Sequence, residues 1–103
     1  MSGQIKLPED CNDMTEVRAG VDATDRALVA LLVRRYGYMR AAARIKTTRG
    51  AVRDEARKAE VIAQVETLAG EAGLPAEDLA RIWDALVESS IAYELAEWER
   101  VHR

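Results

Sequence analysis

Residues 13–46 form a long helical stretch whose length constrains the fold more than any other feature. The stretch contains no proline, and Asp13 and Glu16 have capping-box spacing at its start. Its apolar stripe consists of Val17, Val21, Leu28, Leu31, Leu32, Met39 and Ala42. At ~1.5 Å per residue the helix is roughly 50 Å long, whereas a compact domain of about 100 residues has a radius of gyration of only ~13 Å. Because a chain of 103 residues is too small to cover such a rod, the sequence predicts an intertwined homodimer.

Two shorter helices are predicted after the sequence "TTRG" ends the first one. The second begins near Arg53 and ends at a Gly73 cap, and "PAED" starts the third. Their predicted inward positions are Val61, Ile62, Val65 and Leu68, then Leu79, Trp83, Leu86, Val87 and Val101. Strand-like alternation is missing. We therefore predict an all-α chain of three helices with a long first helix, divided into an N-terminal arm (1–12) and a helical domain (13–103).

The composition of the chain disfavours several classes of protein. No run approaches the ~20 apolar residues of a membrane span, and the N-terminal sequence lacks the apolar core of a signal peptide. We therefore expect a soluble, cytoplasmic protein. Cys11 is the single cysteine and His102 the single histidine, which predicts neither an internal disulfide nor a metal site. The net charge of -3 disfavours a nucleic-acid binder.

Several polar residues interrupt the apolar faces. Arg35 and Lys46 are eleven residues apart and fall within about 20° of each other on the stripe of the first helix. Ser90 and Glu94 have i, i+4 spacing on the inward face of the third helix, and Arg57 lies four residues before Val61 in the second.

Buried charge is costly unless it is paired, so the inward cations predict an anionic partner. Internal salt bridges and snorkelling at the helix ends are the alternatives. Because the cations outnumber Glu94, the set favours a small molecule that carries more than one negative group.

Three segments together carry a resemblance to a known family. They read "VRAGVDATDRALVALLVRRYGYMRAAARIK", "VRDEARK" and "SSIAYELAEW", and include an R-x3-D-x2-D opening. The chain resembles, over about residues 8 to 100, the all-helical chorismate mutase family, which includes the isochorismate pyruvate lyases that make salicylate. The resemblance implies an intertwined dimer of three-helix chains, with sites shared between protomers and no cofactor.

The resemblance also implies roles for residues of the first helix. Arg18 matches the arginine that reaches into the partner protomer's site and holds a substrate carboxylate. Arg35 matches the arginine that binds the other carboxylate. Lys46 matches the lysine that bridges a carboxylate and the ether oxygen.

Four further matches lie in the other helices. Asp54 and Arg57 match residues near the substrate's hydroxyl, and Ser90 matches a serine near a carboxylate. Glu94 stands where many members have glutamine, facing the ether oxygen. An ionised carboxylate cannot donate a hydrogen bond, so direct help to that oxygen requires protonated Glu94.

The charge-rich segment between the first two helices is interpreted on the same basis. The loop 47–52 is expected to be a lid over a dianion, and Arg49 and Arg53 are expected to be mostly solvated or steering charges. Arg44 and Lys58 are interpreted as solvated surface residues. Lys58 stands where many mutases have a glutamate that contacts the substrate's hydroxyl.

The function expected first is chorismate mutase, which rearranges chorismate to prephenate. Its main rival is isochorismate pyruvate lyase, which the "LPEDC" arm and the absent glutamate favour. Rearrangement of 4-amino-4-deoxychorismate is a weaker variant. A different class is a non-catalytic helical dimer that binds nucleic acid or a protein through residues 44–58, and it would show steep salt-dependent DNA binding without turnover.

Overall fold

The computed structural model describes residues 4–103, so residues 1–3 of the predicted arm lie outside the described part. Three α-helices make up the fold: α1 (Met14–Ile45), α2 (Glu55–Glu71) and α3 (Ala76–Val101). Short 3-10 turns span Pro8–Asp10 and Arg49–Ala51, and residues 4–103 contain no strand. The predicted all-α fold with a long first helix is confirmed. None of these helices combines the length and apolar character that crossing a bilayer requires.

The described residues group into two compact units, residues 4–35 (the N-terminal unit) and Tyr36–Arg103 (the C-terminal unit). In the N-terminal unit, the Asp13 carboxylate accepts a hydrogen bond from the Glu16 amide at 2.8 Å. The Glu16 side chain accepts one from the Asn12 amide at 2.7 Å and pairs with Lys6. The hydrogen bond from Lys6 lowers the pKa of Glu16. This capping confirms the predicted start of α1 and ties residues before the helix to its first turn.

The N-terminal unit exposes apolar side chains along α1. Val17, Val21, Leu28 and Leu31, all members of the predicted stripe, are exposed in the single chain. A cleft of about 470 Å³ also opens between the residues preceding α1 and the α1 side chains Val17 and Val21. An exposed row of large apolar residues is typical of a surface that another molecule covers.

The C-terminal unit packs α2 against α3. Asp54 caps α2, so this helix begins two residues later than Arg53, where the sequence placed its start. Gly73 has a φ of 77° and follows the C-cap of α2, where its amide bonds to the Gly70 carbonyl and the Leu74 amide to the Ala69 carbonyl. This pattern is a Schellman motif, which needs the left-handed conformation that glycine adopts without strain.

The last turns of α1 belong to the C-terminal unit and contact α3 through polar and aromatic groups. The Tyr36 hydroxyl lies 2.7 Å from the Ser89 hydroxyl, and Arg40 donates to the Tyr93 hydroxyl at 2.9 Å. The rings of Tyr36 and Tyr93 meet edge to face at 5.0 Å. These contacts fix the end of α1 against α3, and they place Lys46, the residue that follows α1, next to that helix.

Candidate functional site

One face of α3 carries the buried polar residues of the C-terminal unit. Val87, Ser90 and Glu94 follow one another at helical spacing and are the buried residues of α3. Ser90 is 3% exposed and Glu94 is 4% exposed. The predicted inward direction of both residues is therefore confirmed. A carboxyl group at such a depth requires a cationic or hydrogen-bonding partner.

Lys46 provides charge compensation for Glu94. Its Nζ atom lies 2.7 Å from Glu94 Oε2, and 30% of the Lys46 side chain remains exposed. Among the described residues Glu94 Oε2 has no hydrogen-bond partner, so the contact compensates its charge without the geometry of a hydrogen bond. The result is a pair whose carboxylate is enclosed while the lysine side chain remains partly exposed.

Three hydrogen bonds, each of which involves a backbone group, hold Lys46 at the end of α1. Its amide donates to the Ala42 carbonyl at 2.9 Å, which continues the helical pattern by one residue. Its carbonyl accepts a hydrogen bond from the Trp98 indole at 3.0 Å. A carbonyl at a helix C-terminus lacks an intrahelical partner, so Trp98 satisfies one of these groups and anchors Lys46 to α3. Lys46 Nζ also donates to the Val52 carbonyl at 3.4 Å, which ties its side chain to the end of the loop 47–52.

Ser90 lies one turn before Glu94. Its hydroxyl donates to the Leu86 carbonyl at 2.8 Å, so its proton is used within α3.

Asp54 and Arg57 lie at the start of α2. Asp54 Oδ1 accepts a hydrogen bond from the Arg57 amide at 2.9 Å, so the residue acts as the N-cap. The Arg57 guanidinium is exposed and pairs with Glu60, one turn further along α2. The structure thus joins Lys46 to Glu94 and Asp54 to the backbone of Arg57, while the charged end of Arg57 is directed to Glu60.

Arg18 and Arg35 lie on the part of α1 that belongs to the N-terminal unit. Arg18 is exposed and Arg35 is half-buried. Their assignment to substrate carboxylates stays a prediction.

The cations of the segment 49–58 are more extensively paired than the sequence suggested. Arg49 pairs with Glu99 at 3.1 Å, Arg53 binds both oxygens of Glu88, and Lys58 bonds to Glu88 at 2.7 Å. Lys58 is half-buried against α3, so its interpretation as a solvated surface residue is wrong, whereas Arg53 remains exposed while it pairs with Glu88. The hydrogen bonds from Arg53 and Lys58 lower the pKa of Glu88 to about 2.

Two residues of this region were not identified from the sequence. Trp98 follows Glu94 by four residues, so the i, i+4 spacing that joined Ser90 to Glu94 could have extended the set to Trp98. Glu88 carried no comparable signal, since its partners are 30 and 35 residues away in the chain.

Comparison with known proteins gives two findings. Residues 17–95 match the family described as chorismate mutase type II. A Pseudomonas aeruginosa protein described as isochorismate pyruvate lyase is 29% identical over 96 residues, which cover 93% of this chain and 95% of that protein. The matched residues include every predicted site residue from Arg18 to Glu94. The three-helix fold, the contact of Lys46 with the buried Glu94 and the extent of this match lead to one conclusion: the chain belongs to the chorismate mutase type II family.

Proposed function

We propose that the protein is a chorismate mutase, which converts chorismate to prephenate. The observation that carries the proposal is the contact between Lys46 and Glu94, which combines a partly exposed lysine side chain with a carboxyl buried on the inner face of α3. The family assignment supports an enzyme of this type. The proposal gives Lys46 a substrate carboxylate and the ether oxygen, with Glu94 facing the same oxygen.

The rearrangement is concerted, so the residues act by binding and electrostatics. The C–O ether bond breaks as a new C–C bond forms, and no proton, nucleophile or electron carrier enters the balance. Arg35 and an Arg18 side chain would hold the two carboxylates and keep the flexible dianion in a compact conformer, which lowers the entropic part of the barrier. Negative charge grows on the ether oxygen in the transition state, where the preplaced Lys46 ammonium group stabilises it more than in the ground state.

The remaining site residues would bind the periphery of the substrate. Asp54 and Arg57 are assigned to the side of the hydroxyl, and Ser90 to a carboxylate. Arg57 would exchange Glu60 for the substrate, which an exposed pair permits at small cost because solvent already screens it.

The proposed active form is a homodimer in which each site takes Arg18 from the other protomer. Support comes from the exposed apolar row Val17, Val21, Leu28 and Leu31, which extends along α1 on either side of Arg18's position in the helix. A second copy of the chain offers the same row, so an isologous contact would bury both.

Subunit mixing tests the shared site. Arg18→Ala and Lys46→Met are each expected to be nearly inactive as homodimers. If equal amounts of the two variants are mixed, unfolded and refolded, half of the dimers should be hybrids. Each hybrid has one intact site out of two, so activity should return to about a quarter of wild type. Recovery that stays at the level of the separate variants would contradict a site shared between protomers. Mixing Lys46→Met with itself is the matched control.

A second candidate function is isochorismate pyruvate lyase. The curated relative carries this name and its match extends over nearly the full length of both chains. Lys58, which replaces the expected hydroxyl-binding glutamate, is engaged by Asp84 and Glu88 and offers no carboxylate to a substrate hydroxyl. Both reactions would use the same cations.

Product analysis separates the two candidates. Purified protein is incubated with chorismate and with isochorismate, and prephenate, salicylate and pyruvate are quantified. We expect prephenate to form from chorismate faster than salicylate and pyruvate form from isochorismate. We also expect Arg35→Ala to lower kcat/KM by about 100-fold or more, because it removes a charged group that holds a substrate carboxylate. Arg81→Ala, which removes an exposed arginine paired with Asp78 on α3, is the matched control and should retain activity.

Other outcomes lead to other conclusions. Faster salicylate and pyruvate formation would replace the mutase with the lyase. Turnover of neither substrate, combined with steep salt-dependent DNA binding, would contradict both activities and support a binding protein.

A further inference from the structure

Glu88 on α3 bonds to cations at both ends of the segment that starts α2. Arg53 Nη1 donates to Glu88 Oε2 at 3.1 Å, and Arg53 Nη2 donates to Oε1 at 2.7 Å. Lys58 Nζ donates to Glu88 Oε2 at 2.7 Å. One carboxylate therefore takes a two-pronged contact from a residue before the N-cap and a third contact from the first turn of the helix.

Two neighbouring acids reinforce this arrangement. Asp84, one turn before Glu88 on α3, lies 3.0 Å from Lys58 Nζ. Glu55 accepts a hydrogen bond from Arg53 Nη1 at 2.9 Å. Lys58 is 20% exposed at its side chain, so the amine is held close to α3 rather than extended into solvent. The geometry of a planar guanidinium on a carboxylate fixes orientation as well as distance.

The contacts of Glu88 with Arg53 and Lys58, called the clamp below, hold a segment that lies between parts of the candidate site. Residues 53–58 include Asp54 and Arg57, and Val52, which precedes them, supplies the carbonyl that accepts from Lys46. Glu88 itself is on the same helix as Ser90 and Glu94. A rigid helix thus carries both the buried carboxyl of the site and the group that fixes the first turn of α2 relative to it.

We propose that Glu88 is a positioning residue, which holds the first turn of α2 in the arrangement that binds substrate. This inference rests on the proposed function. Without the clamp, substrate binding would have to order the segment 53–58. Because ordering a loose segment opposes association, the net free energy of binding would be less favourable. Loss of the clamp should therefore weaken substrate binding, whereas the Lys46–Glu94 pair and the chemistry at the ether oxygen should not change.

The clamp also persists over the pH range of an enzyme assay. Hydrogen bonds from Arg53 and Lys58 lower the pKa of Glu88 to about 2. Stability that depends on ionised Glu88 is present above the ordinary pKa of glutamate and is lost only as the pH falls toward the lowered value. Loss of the clamp should therefore change KM by a similar factor at every pH of the assay.

Glu88→Gln tests the proposal, with Glu97→Gln as the matched control. Glu97 also binds an arginine with both oxygens, at 2.9 and 3.1 Å, but this arginine is Arg100 of the same helix. We expect Glu88→Gln to raise KM about five- to tenfold and to leave kcat within about twofold, while Glu97→Gln changes neither. Arg53→Gln, which removes the other side of the clamp, should reproduce the KM effect.

Hydrogen exchange provides a readout that does not depend on turnover. In wild-type protein the Arg57 and Lys58 amides bond to Asp54, so they should exchange slowly. Glu88→Gln should reduce their protection by about tenfold, and Glu97→Gln should not.

Each result bears on one of the two proposals. Unchanged KM and unchanged protection in Glu88→Gln and Arg53→Gln would overturn the positioning role, as would equal effects in Glu97→Gln. If Glu88→Gln loses protection but the wild-type protein converts neither chorismate nor isochorismate, the result would instead count against the proposed function and overturn the role in binding this substrate.

Discussion

Lys46→Met is expected to lower kcat/KM for chorismate by about 10²- to 10³-fold, the range typical of removing one donor to a developing oxyanion. The Lys46 side chain is the partly exposed member of the Lys46–Glu94 pair, so we assign the contact with substrate to its charge. Methionine retains much of the side-chain length and apolar surface and removes only the charge and its donors. Steady-state kinetics of prephenate formation measure the effect.

The same substitution carries a structural cost that must be separated from the catalytic one. Glu94 would remain 4% exposed without its cation, and an uncompensated buried charge destabilises a protein by about 3 kcal/mol. We therefore expect a lower melting temperature for Lys46→Met. The double variant Lys46→Met/Glu94→Gln removes the orphaned charge and should recover most of the stability.

Activity and stability then separate in the double variant. If Lys46 acts on substrate, the double variant is stable and still impaired by about 10²-fold or more relative to Glu94→Gln alone. Activity that returns together with stability would contradict the catalytic role and leave Lys46 as a partner of Glu94 only.

Local sequence signals predicted the helices well. The Asp13/Glu16 spacing located the start of α1 to within one residue, and the "TTRG" sequence located its end. The i, i+4 spacing of Ser90 and Glu94 identified two residues that the structure buries on one face. These features depend on groups within one or two helical turns, so helical periodicity is sufficient to find them.

Contacts between helices were harder to predict from the sequence. Arg53 was interpreted as a mostly solvated or steering charge and Lys58 as a solvated surface residue, and neither interpretation identified their shared partner, Glu88 on α3. The rotation and axial offset of α2 against α3 decide which carboxylate meets them, and packing rather than local spacing sets both. The pairing of Arg57 with Glu60 is different, because its i, i+3 spacing was visible in the sequence.

The second large effect concerns the hydrogen-bonding capacity of the Glu94 position. A carboxylate directed at the ether oxygen would repel the negative charge that grows there, whereas an amide can donate a hydrogen bond to it. We therefore expect Glu94→Gln, which places a donor at this position, to raise kcat/KM for chorismate.

The size of this gain tests the assignment of Glu94. We expect kcat/KM for Glu94→Gln to exceed the wild-type value by about tenfold or more, measured as prephenate formation under the same conditions. Glu97→Gln, which also replaces an α3 glutamate paired with a cation, should keep the wild-type value. An equal or lower kcat/KM for Glu94→Gln would show that Glu94 does not face the ether oxygen as a carboxylate. Its function would then be to hold Lys46 in place through the 2.7 Å contact between them.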